Sequence, residues 1–234
     1  IRYVTGLTQE GNLCGADVEI VYNAGAYGVF TDEICDRVMA TTLASYECRD
    51  LRVSVTVVRT NLPPLNVLSG FGSASSFFAG ETHVARIAEI AQIDPLEWRR
   101  QNGLRERNDG RGANGQARAA RTLGAAAKAS DFSRKFAAYE LQKKRRTEFD
   151  DLRTPTRGIG IAVALHGGGF IGDHEPRHGG SVVVRLETDG SAVLRTSAVP
   201  GSRSVLASWR ESVATILGLE AAHVLIENTD TSLV

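Results

Sequence analysis

Residues 51–102 constrain this chain more than any other stretch. The β-branched run Leu51-Arg52-Val53-Ser54-Val55-Thr56-Val57-Val58 reads as a strand. It runs out into Thr60-Asn61-Leu62-Pro63-Pro64, where proline removes the amide that a strand ladder needs. Gly70-Phe71-Gly72 then marks a turn. The helix after it carries Ala74, Phe77, Phe78, Val84, Ala85, Ala88 and Ala91 at helical spacing, which predicts the core face. A second helix opens at Asp94-Pro95-Leu96-Glu97, with Asp as N-cap, Pro at the first helical position and Glu completing a capping box.

The flanking sequence continues the mixed pattern. Ile1–Val4 and Ala16–Tyr22 read as a hairpin around Glu10-Gly11-Asn12, and Asn23–Gly28 is a glycine-rich exit. Thr31 can cap a helix reaching about Tyr46, with Cys35, Val38, Met39, Leu43 and Tyr46 on one face. Gly103–Gly115 reads as loop and Ala117–Lys144 as helix, its basic end Lys143–Arg146 favouring a helix C-terminus. Gly158–Leu165, Ser181–Glu187 and Ala192–Thr196 are strand candidates, the last two joined by the hairpin turn Thr188-Asp189-Gly190. Ser204 opens a helix with Val205, Trp209, Val213, Ile216 and Leu217 aligned and Gly218 as a stop; Val224–Ile226 is a final strand. No sequence repeat is visible. The order predicts an α+β fold of mixed sheets with helices and a domain break near residue 150: 1–150, with a helical linker at about 103–150, then 151–234.

Composition narrows function mainly by exclusion. Lys+Arg and Asp+Glu balance at 27 each, so no general nucleic-acid or membrane-surface role has electrostatic support. No run approaches the roughly 18 apolar residues of a membrane span, and no secretory leader pattern is visible. Cys14, Cys35 and Cys48 lack metal-ligand spacing and suggest a reducing cytoplasm. Ile1 already lies in a strand-like run, as expected of a piece of a longer polypeptide.

Two motifs look stronger than they are. His174-Glu175-Pro176-Arg177-His178 matches H-E-x-x-H, but that zinc motif works on a helix, and Pro176 with flanking glycines reads as loop. Gly167-Gly168-Gly169-Phe170-Ile171-Gly172 matches G-x-G-x-x-G, yet the strand candidate at Ser181 leaves no room for the helix a dinucleotide site requires.

In order and spacing, residues 60–102 resemble the molybdopterin-binding large subunit of the molybdenum hydroxylases, the xanthine dehydrogenase and aldehyde oxidase family. That family reads Thr-Asn, a loop, Arg-Gly-x-Gly, a helix with Glu, then Asp-Pro-x-Glu-x-Arg-x-x-Asn. The resemblance implies parts of the two molybdopterin-binding domains. It implies hydroxylation of a purine-like heterocycle or aldehyde with oxygen from water, electrons leaving through Fe-S and FAD partner subunits or domains, and association with the rest of the large subunit. This chain would form one wall of the cleft and be inactive alone. A diverged, non-catalytic assembly homologue is the competing reading.

Carried over by position, the resemblance makes Arg37 the arginine that steadies charge on an attacked substrate, and Phe71 the aromatic that packs against a flat one. Gly70 and Gly72 would let main chain approach the cofactor. Ser69 stands where the family has arginine, and Pro200-Gly201-Ser202-Arg203 where many members have Gly-Gln-Gly; Gly201 and Ser202 would border the pterin. Val163 and Ala164 replace a second aromatic and a threonine. The family's other pterin loop would precede Ile1 and its catalytic glutamate would follow Val234. Glu81, on an apolar helix face, must be hydrogen-bonded and is expected to brace loop amides rather than act as a base.

Overall fold

The computed structural model describes residues 1–65, 70–103, 113–145, 157–165 and 180–227. The chain divides into two compact units, Ile1–Gly172 and Asp173–Val234.

In the first unit, β1 (Arg2–Leu7) and β2 (Leu13–Gly25) form the expected hairpin, with register Arg2↔Glu19 through Gly6↔Gly15. Gly11 takes φ 79° at the turn, and the amide of Thr8 donates to the Asn12 carbonyl at 2.9 Å. Helix α1 (Thr31–Thr41) crosses over to β3 (Asp50–Arg59), which pairs parallel to β2, giving the sheet order β1-β2-β3. Alternate residues of the central strand, Ala16, Val18, Ile20 and Tyr22, face the core.

Helices α2 (Ser73–Ile90) and α3 (Pro95–Asn102) follow. Their core, with α1 and the sheet, joins Val18, Ile34, Val38, Val84, Ile87 and Trp98. The buried face of α2 differs from the one its sequence predicts. Val84 and Ala88 are buried as expected, but the face also takes in Ser76, Gly80, Glu81 and Ile87, whereas Phe78 is 76% exposed. The apolar stripe misled because small and polar residues, Ser76 to a hydroxyl and Glu81 to an arginine, hold the true contact face. Asp94 caps α3 as expected, its carboxylate accepting from the amides of Leu96 (2.8 Å) and Glu97 (3.2 Å). Glu97 turns to Arg100 at 3.5 Å.

Four other expectations are corrected. Helix α1 ends at Thr41, since Leu43 takes φ 52°. Thr31 does not cap it: the N-cap position is Phe30, at φ 54°, and the Thr31 hydroxyl donates to the Gly28 carbonyl instead. The single helix expected over Ala117–Lys144 is two, α4 (Ala113–Ser130) and α5 (Phe132–Arg145), broken where Asp131 adopts φ 53°. Residues 157–165 form no strand; Ile159, Ile161 and Val163 pack instead against Leu96, Leu123, Ala127 and Phe132.

In the second unit, β4 (Val182–Leu186) and β5 (Ala192–Thr196) form an antiparallel hairpin turned at Gly190, φ 86°. Helix α6 (Arg203–Leu217) leads through a short 3₁₀ turn to β6 (Val224–Ile226), parallel to β5. Gly218 ends α6 in the left-handed conformation that a Cβ disfavours. The sheet order is β4-β5-β6.

Candidate functional site

The candidate site begins where β2 and β3 leave the sheet. Asn23 ties the two exits together: its Oδ1 accepts from the Gly25 amide (3.0 Å) and the Thr60 hydroxyl (2.8 Å). The Ala26 amide donates to the Leu62 carbonyl (2.9 Å), and the Tyr22 hydroxyl to the Leu65 carbonyl (2.8 Å). A Cβ on Gly25 would stand 2.7 Å from Leu62 O and Pro63 main-chain atoms, so the loop closes down only on glycine. The Thr-Asn motif thus works as a clamp holding the loop that leads toward Gly70.

Gly70, Phe71 and Gly72 take φ of 96°, 44° and 84° in succession. A phenylalanine in this region is costly, and such strain persists only where the surroundings impose it. Here the Phe71 ring packs on the main core and meets Phe30 edge-on, centroids 5.5 Å apart. Phe30 is itself left-handed, at the start of α1, so two strained aromatics brace one another. The turn feeds α2: the Ser73 amide donates to Gly70 O (3.0 Å), satisfying one of the four amides a helix start leaves open, and the Ser76 amide makes the first helical bond, to Gly72 O (3.1 Å). Ser69 lies outside the described residues, as do the motifs at 167–172 and 174–178.

Arg37 is only 4% exposed, on the buried side of α1 rather than off it, which excludes an ordinary surface arginine. Gly201 and Ser202 belong to the second unit, at the start of α6. Both are exposed; a Cβ on Gly201 would meet open space, and the Ser202 hydroxyl pairs with that of Ser204 at 2.7 Å.

The residue that organises the first unit is Glu81. Its Oε1 accepts from the buried Tyr46 hydroxyl. Its Oε2 accepts from Arg99 Nε (3.0 Å), Arg99 Nη2 (2.8 Å) and the Val163 amide (3.0 Å). Arg99 is 2% exposed, and its Nη1 also donates to Pro95 O at 3.0 Å. Burial, then the neighbouring carboxylate, pushes the Tyr46 phenol far above its ordinary range, so it remains a proton donor. Asn102, which ends the Asp-Pro motif, accepts from the Leu13 amide (2.7 Å) and donates to Trp98 O (3.1 Å). Trp98 Nε1 in turn donates to Gly11 O at 3.0 Å. Sequence reasoning missed Arg99 as the partner of Glu81. The signal was present, since a carboxylate on an apolar face requires a cation, and Arg99 lies in the next helix.

Residues 1–103 and 133–234 each match a family described as the molybdopterin cofactor-binding domain. The chain belongs to the molybdenum hydroxylase family. Its α+β architecture is that of the solved structures on which it superposes. A probable xanthine dehydrogenase subunit from Bacillus subtilis is 30% identical over 99% of this chain, which spans 30% of that protein. A Calliphora vicina xanthine dehydrogenase is 32% identical over 45% of the chain and 8% of its own length. Among solved structures, the aldehyde oxidoreductase of Desulfovibrio gigas superposes with TM-score 0.67 at 20% identity, over 96% of this chain and 24% of that one. Quinoline 2-oxidoreductase of Pseudomonas putida 86 gives 0.68 at 18% identity, over 96% and 29%. The chain therefore spans about a third or less of the proteins it matches.

The residues described fit the cofactor these domains bind. A metal carried by a pterin asks for close main-chain approach and hydrogen-bond donors rather than a cage of ionisable side chains. The Gly70-Phe71-Gly72 turn, with positive φ at all three residues and two side chains no larger than hydrogen, suits the first.

Proposed function

We propose that this chain forms one wall of the substrate cleft in a molybdopterin-dependent hydroxylase or dehydrogenase acting on a purine-like heterocycle or an aldehyde. The observation that carries this reading is the strained aromatic turn at Gly70-Phe71-Gly72, opening a helix inside the matched domain. When bound, the molybdenum cofactor supplies hydroxylation with oxygen from water. The chain's own residues orient and exclude. Phe71 offers a ring face to a flat substrate, and its packing against Phe30 removes the freedom that binding would otherwise have to restrict. Arg37, buried, stabilises negative charge developing on the substrate more strongly than a solvated arginine would. Gly70 and Gly72 admit the pterin near the main chain; Ser69, Gly201 and Ser202 are the further cofactor-binding residues of this reading.

The domains on this reading are 1–150, with a linker from about 103, and 151–234. Partners are the remainder of the large subunit and Fe-S and FAD subunits or domains, in keeping with a relative named as a subunit. Among the described residues no helix is long and apolar enough to cross a membrane, and the compartment proposed is the cytoplasm. One observation favours the alternative, a non-catalytic homologue: the Ser202 hydroxyl is taken up by Ser204 instead of being offered to a ligand.

Elemental analysis for molybdenum and extraction of a fluorescent pterin from the full-length protein test the proposal. Stoichiometric metal, with Phe71→Ala raising KM for a flat substrate about tenfold or more while metal content holds, supports it. Protein that emerges metal-free from cells able to load a related enzyme defeats it.

A further inference from the structure

Beneath α2 lies a cavity of about 10 Å³ lined by Thr41, Leu43, Ser45, Ser76, Gly80 and Glu81 among others. A single water needs roughly 10–15 Å³ measured this way, together with two to four polar partners. Two hydroxyls around the cavity are unsatisfied, and a main-chain amide adjoins them. Ser45 is 8% exposed, and its hydroxyl has no hydrogen-bond partner. Tyr3 Oη is buried and also lacks one. The Thr42 hydroxyl beside it is committed to Ser76 Oγ at 3.1 Å, outside bonding geometry to the phenol. The Leu43 amide borders the same space, in a residue 5% exposed and held at φ 52°.

The position of Gly80 ties these together. A Cβ built there would lie 3.6 Å from Tyr3 Oη and 3.9 Å from the Leu43 amide nitrogen, so the space its missing methyl leaves is bounded by the unsatisfied phenol and by that amide. The remaining polar lining is spoken for: Thr41 Oγ1 donates to Arg37 O at 2.7 Å, Ser76 Oγ to Val38 O at 3.1 Å, and Tyr46 to Glu81. A dry cavity would leave two hydroxyls desolvated for nothing, which native interiors rarely tolerate.

We infer that this cavity is a binding site for one internal water molecule. The water donates to the Ser45 and Tyr3 oxygens and accepts from the Leu43 amide. It thereby fixes the left-handed turn that ends α1 and stands directly behind the Tyr46–Glu81 pair. Gly80 is glycine because a methyl would take the water's place.

The substitution Gly80→Ala tests this by its sign. Glycine to alanine inside a helix ordinarily stabilises, and the new Cβ would make only ordinary van der Waals contacts. With a water present, the full-length protein carrying G80A loses about 2–4 °C in Tm, because the methyl expels the water and orphans its partners. In a Tyr3→Phe, Ser45→Ala background, where nothing remains to orphan but one amide, the same change raises Tm or leaves it level. A crystal structure of the unsubstituted protein should show one ordered water between Tyr3, Leu43 and Ser45, absent in G80A. A rise in Tm on G80A in the unsubstituted protein, or a cavity without density, overturns the inference.

Discussion

The two units repeat one topology on unlike foundations. Each is a hairpin followed by a helix that crosses to a parallel third strand, β1-β2-α1-β3 in one and β4-β5-α6-β6 in the other. In the first, α1 buries Ile34, Cys35, Arg37, Val38 and Thr41, and α2 and α3 add to the layer. In the second, α6 buries only Ala214, Ile216 is 82% exposed, and all five residues of β4 are exposed. The cluster under α6 joins Ala192, Ala214 and Val224 with Val213 and Leu219 at its margin, and β5 buries Val193 and Leu194 besides. The same chain path is therefore a well-buried domain in one case and a thin sheet-and-helix layer in the other. What differs is the helices stacked outside the repeat. Those outer helices are where the family signature lies, so Glu81, Arg99 and Asn102 mark the architecture of the first unit more than its chemistry.

The sharpest way to break the contrast is to remove the ion pair that the second unit has no counterpart for in burial. Glu81→Ala leaves the Arg99 guanidinium buried without its carboxylate and frees the Tyr46 hydroxyl and Val163 amide. A loss of about 3–5 kcal/mol is expected from urea unfolding, confined to residues 1–172 when followed by hydrogen exchange. The matching pair in the second unit, Arg195–Glu227 at 2.5 Å, is about a third exposed on each side and screened by solvent, and Glu227→Gln there should be close to neutral in the same urea titration.

Helix starts give a smaller test. Asp94→Ala removes both capping bonds of α3 and should cost about 1 kcal/mol by thermal melting, whereas Ser202→Ala, whose hydroxyl makes no cap bond to α6, should be close to neutral. Equal losses would erase the distinction.

The smallest effect is one of pH. His83 stacks on Tyr3 with centroids 4.6 Å apart, and burial lowers its pKa. A depressed histidine binds protons more readily when unfolded, so its contribution is complete above the unfolded value of about 6.5 and falls as pH drops toward the folded one. Melting of the first unit between about pH 7 and 5 should be flatter in His83→Gln. An unchanged slope would assign the acid sensitivity elsewhere.

How much of this was legible depended on distance along the chain. The hairpins, the Asp94 cap, the Gly190 turn and the Gly218 stop were readable because each is decided within a few residues. The break at Asp131 was not, because nothing local to Ser130-Asp131-Phe132 announces it; Phe132, 1% exposed, is drawn into a core with Leu96 and Leu123. The β-like run at 157–165 failed for the same reason: its Val163 amide is claimed by Glu81, not by a neighbouring strand. The repeat of topology left no trace in the sequence, since pairing order does not require matching side chains. At the site, glycines and aromatic were visible, but the left-handed strain at Phe30 and Phe71 and the burial of Arg37 needed the packed structure.

One carboxylate gathers residues 46, 81, 99 and 163, stretches separated by long loops of chain. Closing such loops costs entropy before any contact repays it, so these meetings belong late in folding. The segment 157–165 should dock only after α2 and α3 have come together, which makes its arrival a natural clock for completion of the first unit. A refolding experiment that follows the Val163 amide by pulsed exchange would read that clock directly.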